Sequence, residues 1–573
     1  MESLFSRSPR LSRWLQWLRG PGKEAALPHP IPWLQITLTF QNRTQSFPLE
    51  HLIIRATRRF TSPVLLAILT IVYIISLAFF ARAQWYQTPS DDFLDCTSTF
   101  WLKDNGCGLN GQLCTPFNTT SPLEFRCPAT CSSVILANQR AVGAQEVKFV
   151  PLVVGGGDPE HTYRGDSWIC VAALQAGVTS PSTGGCGALE RIGTYTNFLS
   201  ADRNAVHSTS FPSEFPLAFR FVPTPTVSAH CTDMRREALV FNILVSVILF
   251  VVLRPPSLVL YWCLLCIGFW HNTFFSDPRA VPAPISDAFG VFLPLLFVAY
   301  AMWRCAFRFV LPAFEALPIE RAVWYLGAYW PGVLINVVFE HVPIDRLIVS
   351  DIAERRGALT SLLIIVVLVI ILILNQMHVI RNSGLLLRYL SYYFIGGLVI
   401  LVLAMLPGLT FRLHHYVFAI LLIPGTGFPT RISAIIQAFL LGMLVDGISR
   451  WGFDSILQTS AQLRRDAPLG SSLPTFSKQH VLVNSTSPPS YITWDPISPI
   501  LRSTEGWNGF SLIVDDVERY VGTALNYTLA SLDWNVVHFF RLAFQKDGKS
   551  GDYTKAAMIF PNGSFVPPLP GPS

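Results

Sequence analysis

Tyr163 to Gly187 reads YRGDSWICVAALQAGVTSPSTGGCG, and the reading of the whole chain turns on this stretch. Asp166 or Ser167 is placed to cap a helix N-terminus. Trp168 to Ala176 then carries apolar side chains on nearly every face, and Gly177 stands as the C′ residue that ends the helix. A helix that is apolar all round must be buried. In a small domain it is the central helix, wrapped by strands. Cysteines mark out that domain, because eight of the 11 fall between Cys96 and Cys231. Such density suggests disulfide staples and an oxidising compartment. Zinc is the competing reading, but Cys127 and Cys131 form C-x3-C without a second close pair of ligands. Cys263, Cys266 and Cys305 lie in apolar runs and read as inert fillers.

The stretch resembles the LCCL domain, a disulfide-bonded α/β module of secreted and membrane proteins. The family's core pattern is matched here by Tyr163, Ser167, Cys170, Ala172, Ala173, Gly177, Val178, Gly184 and Gly185. Its upstream C-P-x-x-C element is matched by Cys127, Pro128 and Cys131. Gln175 replaces the family's usual histidine, so no imidazole role carries over. The resemblance covers about residues 110–222. It implies disulfides Cys114–Cys127 and Cys131–Cys170. How Cys96, Cys107, Cys186 and Cys231 pair is not set by sequence; Cys96–Cys107 and Cys186–Cys231 are the expected pairs. The whole arrangement is similar to the polytopic LCCL-domain membrane proteins of filamentous fungi, with HHYVFAILLIPGTGFPTR and DGISRWGFDSILQ contributing. LCCL modules are regarded as ligand-binding, which implies a lipid or glycan-type ligand.

Composition agrees with a membrane protein. Of 573 residues, 51% are apolar and only 14% charged, against about a quarter charged in ordinary soluble domains. Mean hydropathy is +0.42. The net charge of +6 forms no basic stripe, which argues against nucleic acid as a partner. Residues 1–61 hold nine Lys or Arg against three acids. Arg7, Arg10, Arg13 and Arg19 interleave with Leu11, Trp14, Leu15 and Leu18, either as a basic amphipathic helix on an anionic leaflet or as a solvated tail. Ser62 to Ala81 is a 20-residue apolar run, enough to cross about 30 Å of hydrocarbon. Further spans are expected near 237–253, 256–274, 285–303, 322–340, 358–377, 389–407, 414–428 and 432–450, nine in all. The 414–428 run is broken by Pro424, Gly425 and Gly427 and reads as half-spanning.

Arg55, Arg58 and Arg59 before the first span place the N-terminus in the cytosol and residues from 82 onward outside. Loops then expected inside hold Arg254, Arg304, Arg308, Arg321, Arg381, Arg388 and Arg431, a mild excess over those outside. Nine spans return the C-terminus to the outer side. Sequons at Asn118, Asn484, Asn526 and Asn562 fall in the two outer segments and fit that topology as glycosylation sites. The expected division is a basic tail (1–61), a first transmembrane helix (62–81), a disulfide-rich LCCL domain (85–232), a helical bundle (237–450), a C-terminal β-sandwich (478–565) and a tail (566–573). In the sandwich, alternation at Tyr491–Trp494, Phe510–Val514, Phe540–Phe544 and Tyr553–Phe560 marks strands, and the order of turns resembles fibronectin type III.

Polar residues gather at the outer ends of the expected spans: His271, Asp277, Asp287, Glu340, His341, His414, His415 and Asp446. Ionisable groups in spans are functional candidates. His271, His341, His414, His415 and Asp446 are the candidate ligands of a zinc with an open position, the logic of an intramembrane hydrolase. The plainer reading is a set of groups that meet outer water. No other cofactor is indicated, and G-x-x-x-x-G-K-[ST], G-x-S-x-G and H-E-x-x-H are all absent. The leading expectation is thus a non-enzymatic, multi-pass protein of the lipid bilayer that presents ligand-binding domains on its exoplasmic face. A metal-dependent hydrolase stands second and a transporter third.

Overall fold

In the computed structural model, chain contacts divide the protein into two units. One holds Met1–Tyr86 with Met234–Leu463, the other Gln87–Asp233 with Arg464–Ser573. The structure describes residues 20, 30–33, 35–40, 43–86, 93–114, 122–223, 231–276, 283–344, 349–412, 414–464, 467–477 and 490–573. The expected N-terminal amphipathic helix and the sequons at Asn118 and Asn484 lie outside them, as does Asp277.

The first unit is helical. Among the described residues, seven helices are long and apolar enough to cross a membrane: Pro63–Trp85, Arg235–Leu253, Ser257–Ser276, Ile285–Phe314, Ala358–Asn382, Leu386–Ala404 and Arg431–Trp451. The expected runs at 322–340 and 414–428 fold as shorter pieces. Pro318–Val333 has 16 residues and ends beside Pro331, and His415–Leu422 has eight before a 3-10 turn at Pro424. Proline cannot donate to the helical ladder: Pro424 lies in the 3-10 turn that follows His415–Leu422, and Pro331 lies in the last turn of Pro318–Val333, which stops at Leu334. Leu363 to Leu374 are each more than 40% exposed, a continuous aliphatic surface that water does not tolerate over such a length. The core sits where Pro318–Val333 crosses Arg431–Trp451. A Cβ on Gly332 would lie 2.3 Å from the Phe439 carbonyl oxygen, and one on Gly442 2.3 Å from that of Tyr329. Glycine at both positions is what lets the two backbones touch. Before the first helix, Gln35–Phe40 and Arg43–Pro48 pair as an antiparallel hairpin, which the reading of this segment as a tail does not anticipate.

The second unit holds the cysteine-rich domain. All residues of its helix Ile169–Gln175 are buried, as an all-apolar surface demands. Trp168, rather than Asp166 or Ser167, occupies the N-cap, without a side-chain cap bond. The two polar residues are engaged elsewhere: Ser167 bonds the Val154 backbone and Asp166 bonds Arg164. An antiparallel sheet in the order Leu123–Cys127, Gly185–Ile192, Ala218–Val222, Tyr163–Arg164 accompanies the helix.

Four disulfides staple this domain: Cys96–Cys131, Cys107–Cys114, Cys127–Cys170 and Cys186–Cys231. Three expected pairs are therefore corrected. Cys127, at the end of the first sheet strand, takes Cys170 of the helix at a Cα separation of 5.5 Å. That displaces Cys131 from Cys170 onto Cys96, and Cys114 from Cys127 onto Cys107, seven residues away. The expected Cys96–Cys107 pair is thereby lost too, whereas Cys186 and Cys231 are joined.

The C-terminal segment forms a six-stranded antiparallel sheet. Its order is Val517–Gly522, Gly509–Val514, His538–Lys546, Ala557–Ile559, Phe565–Val566, with Lys549–Ser550 added to the third strand. A separate pair, Tyr491–Thr493 with Asn526–Thr528, packs Ile492 and Trp494 into the cluster that holds Phe510, Leu512, Phe540 and Leu542. Gly509–Val514 is buried on both faces, although its alternation predicts one wet face. Ser511 and Ile513 are covered as well, with Ile513 against Ala543 and Tyr553.

Sequence sets the cysteine-rich and C-terminal domains apart, yet they share a core. Val517 and Phe539 of the C-terminal sheet belong to the hydrophobic cluster built by Phe211, Phe215, Val142 and Trp101. The rings of Phe211 and Phe539 lie 5.6 Å apart.

Candidate functional site

The signature residues of the cysteine-rich domain build its core. The Tyr163 ring stacks on Phe219 at 5.7 Å and meets Phe221 edge-on at the same distance. Ser167 Oγ accepts from Val154 N at 2.9 Å and faces its carbonyl oxygen at 3.2 Å. Ala172 and Ala173 are fully buried, and Cys170 is tied to Cys127. Gly177 ends the helix at φ +78°. Val178 covers Gly187, where a Cβ would come within 2.6 Å of it. Gly184 has φ +60° and sits where a Cβ would lie 2.4 Å from the Cys127 carbonyl oxygen. Gly185 opens the second sheet strand against Cys127. Gln175, in the histidine position, donates from Nε2 to the carbonyls of Ala201 and Val206 at 2.9 and 3.1 Å. An amide nitrogen carries two protons where a neutral imidazole carries one, so Gln175 anchors both strands of the 201–206 loop.

Chemistry concentrates instead at the junction with the C-terminal sheet. Asp515 and Asp516 are the central residues of the hairpin between Val514 and Val517, and both have positive φ, at +52° and +62°. That is the type I′ pattern, normally given to Asn and Gly. The strained pair aims both carboxylates inward. Asp516 accepts from Arg164 Nη1 at 2.7 Å, Arg541 Nη2 at 3.0 Å and Gly143 N at 2.8 Å. Arg164 is fully buried and forks onto Asp166 at 2.8 and 2.6 Å. Arg541 also reaches Asp104 at 2.8 Å, and Arg140 approaches Asp166 at 3.8 Å. Asp516 crosses from the C-terminal sheet to Arg164, while Asp104 crosses from the cysteine-rich domain to Arg541.

The arginines and aspartates match in number: Arg140, Arg164 and Arg541 against Asp104, Asp166 and Asp516. Burial alone would push the Asp516 carboxyl up, but Arg164 and Arg541 outweigh it and hold the group below the usual carboxylate range. Burial likewise opposes the charge of Arg164, yet Asp166 and Asp516 hold it above its ordinary value. Beside them, His538 lies between Asp515 Oδ2 (2.6 Å from Nδ1) and the Asp533 carbonyl oxygen (2.9 Å from Nε2). Both ring nitrogens face acceptors, an arrangement that favours the doubly protonated imidazolium. Burial would lower its pKa, and the bond to Asp515 raises it instead. No sequence motif marks this cluster; the only trace is the pair of aspartates at a turn.

The five candidate metal ligands are not brought together. His271 is buried, and its Nδ1 faces Asn242 Nδ2 at 3.0 Å, while Asn242 Oδ1 accepts from Tyr73 OH at 2.9 Å. Nδ1 is thus the acceptor in that pair and is occupied. The His341 side chain is 89% exposed beside Glu340. His414 Nε2 faces the Ser455 carbonyl oxygen at 3.3 Å. Only His415 approaches Asp446, at 3.9 Å, and Asp446 accepts from Asn272 at 3.3 Å and Asn336 at 3.2 Å. Among the described residues, no group of three or more His, Cys, Asp or Glu is arranged to hold a metal ion. The zinc expectation is corrected accordingly: the side chains share an end of the helices but turn to different partners. The sequons at Asn526 and Asn562 are exposed.

The LCCL domain family matches residues 94–215. An uncharacterized protein of Saccharomyces cerevisiae, YIL067C, is 31% identical over 520 residues, which cover 82% of this chain and 75% of that protein. No solved structure matches the chain significantly.

Proposed function

This chain carries an LCCL domain and belongs to one family with its yeast relative, and we propose that it is a multi-pass membrane protein presenting its LCCL and C-terminal domains as one recognition module on the oxidising side. The single observation that carries this reading is the common core and charge cluster of the two domains. They flank the helices 235–451 in sequence, yet they bury Phe211 against Phe539 and Arg164 against Asp516. Segments that share a dry core lie on one side of a bilayer, so the chain between them crosses an even number of times. The six candidate helices after the first satisfy this. So would eight, if Pro318–Val333 and His415–Thr426 also cross as the nine-span reading expects.

Four disulfides favour the lumenal or extracellular side for the module. The N-terminus then lies in the cytosol. A paired core fixes the module rigidly, which suits recognition of a ligand rather than covalent chemistry. The ligand class is the lipid or glycan type that LCCL membership implies, and the layered C-terminal β domain, fibronectin type III-like in its turn order, supports the binding surface.

The test is made in sealed microsomes carrying the full chain with an N-terminal tag. Asn526 and Asn562 are expected to bear glycans removable by glycosidase, while external protease removes the N-terminal tag and spares the module. Unmodified sequons together with a protease-sensitive module would overturn the topology. Binding is then screened with the detergent-purified full chain on lipid and glycan arrays, and loss of any signal on Asp516→Ala would tie binding to the joined module.

A further inference from the structure

The helical unit contains charged groups in two states of completion. At the start of Pro318–Val333, the acids are satisfied. The buried Glu50 carboxylate accepts from the backbone N–H groups of Ile319 and Glu320, both at 2.9 Å, as an anion at a helix N-terminus should. Glu320 in turn takes Arg431 Nε at 2.9 Å and Trp33 N at 2.6 Å. The next residue differs. Arg321 is fully buried, and its Nη2 reaches only the Phe250 carbonyl oxygen, at 3.5 Å. Its guanidinium carbon lies 5.6 Å over the Phe250 ring. Its Nε and Nη1 have no hydrogen-bond partner among the described residues. Nor does any carboxylate there form an ion pair with it.

Arg254, within electrostatic reach, adds a second positive charge rather than a negative one. Its Nη2 binds the Ile54 carbonyl oxygen at 3.3 Å, and its Nε is also buried without a partner. Glu315, the acid in reach of both, is exposed. Glu50 acts on Arg321 only through space as well, and a buried guanidinium held in no ion pair destabilises a fold. Three orphaned N–H donors on two arginines therefore call for an anion with several acceptor oxygens. Phosphate meets that need, because its oxygens match the planar fork of arginine. Basic pockets between helix ends are also where membrane proteins hold anionic headgroups.

We propose that Arg321 and Arg254 form a binding site for a phosphate group, as carried by an anionic phospholipid headgroup or by free phosphate. The proposal concerns the helical unit and stands independently of the recognition module.

The full chain, purified in detergent and stripped of lipid, is titrated with dioleoyl phosphatidic acid, with dioleoyl phosphatidylcholine and with inorganic phosphate, and bound adducts are counted by native mass spectrometry. Arg321→Gln and Arg254→Gln are compared with wild type and with Arg308→Gln, an exposed arginine, as control. If the ligand is a headgroup, wild type retains phosphatidic acid over phosphatidylcholine by about tenfold or more, and both site variants lose that preference while the control keeps it. If the ligand is free phosphate, inorganic phosphate binds wild type but neither variant, and the lipids do not discriminate. Arg321→Lys, which keeps charge but loses the fork, is expected to fall between. Equal behaviour of wild type and Arg254→Gln with every probe overturns the proposal, and that partly exposed position keeps the test valid should Arg321→Gln fail to fold.

Discussion

Two buried arginines, Arg164 at the junction of the recognition module and Arg321 in the helical unit, meet opposite surroundings. Arg164 is met by Asp166 and Asp516, and its guanidinium carbon lies 4.4 and 4.7 Å over the rings of Phe211 and Phe215. Arg321 meets one carbonyl oxygen and one ring. Both are fully buried, and only the first is paired with carboxylates of the chain. The difference separates a charge that holds two domains together from a charge that waits for something brought by another molecule. A closed cluster of matched signs is a structural joint, and an open one is a site.

The largest effect expected from breaking this comparison falls on the joint. Asp516→Ala leaves Arg164 short of one anion and Arg541 with Asp104 alone, and uncovers Gly143 N. It should destabilise the module by about 3–5 kcal/mol. Thermal unfolding of the detergent-purified full chain reads this, together with faster proteolysis of the C-terminal domain; an unchanged midpoint would show that the joint does not hold the domains.

Arg321→Met should act in the opposite sense. In lipid-free detergent it removes a desolvated charge that has no partner, so stability holds or rises, within about 1–2 kcal/mol. Arg164→Met under the same conditions should fall. A loss from Arg321→Met as large as that from Arg164→Met would erase the distinction between joint and site.

The smallest effect is a slope with pH. His538 has a raised folded pKa because Asp515 outweighs burial, so its contribution is complete below the ordinary histidine value of about 6.5 and is lost as pH rises through the folded value. Asp516 has a depressed folded pKa, so its contribution is present above about 3.9 and is lost as pH falls through its folded value. The unfolding midpoint should therefore decline as pH rises from about 6.5 through the folded pKa of His538, and His538→Gln should flatten that decline. A decline that persists unchanged in His538→Gln would assign it to another group.

Much of the architecture is legible from local pattern. The run Trp168–Ala176 announces a buried helix because no face of it tolerates water, and the structure buries Ile169–Gln175 completely. Leu363–Leu374 announces a helix apolar enough to cross a membrane for the same reason, and the structure leaves that run exposed. Length and apolarity fail as guides at 322–340 and 414–428, which carry Pro331 and Pro424, although Pro294 stands inside a helix that holds. The candidate site was far less legible. Outer-end histidines are easy to find in sequence, but whether His271 turns toward Asp446 or toward Asn242 depends on helix rotation, and that is a matter of packing.

What the sequence by itself determined, then, is composition-driven: apolar helices that need a membrane, a cysteine-dense domain that needs oxidation, and a signature whose small and apolar residues have room only in one fold. Each follows from short-range solvation and sterics, which a window of some 20 residues contains. The tertiary structure alone decided which cysteine meets which, because the Cys127–Cys170 contact joins a strand end to a helix 43 residues on. It alone decided that Asp516 neutralises Arg164, 352 residues away in the chain, and that no described carboxylate forms an ion pair with Arg321. Charge pairing inside a protein is set by distance in space and by exclusion of water, and neither is written in the order of residues.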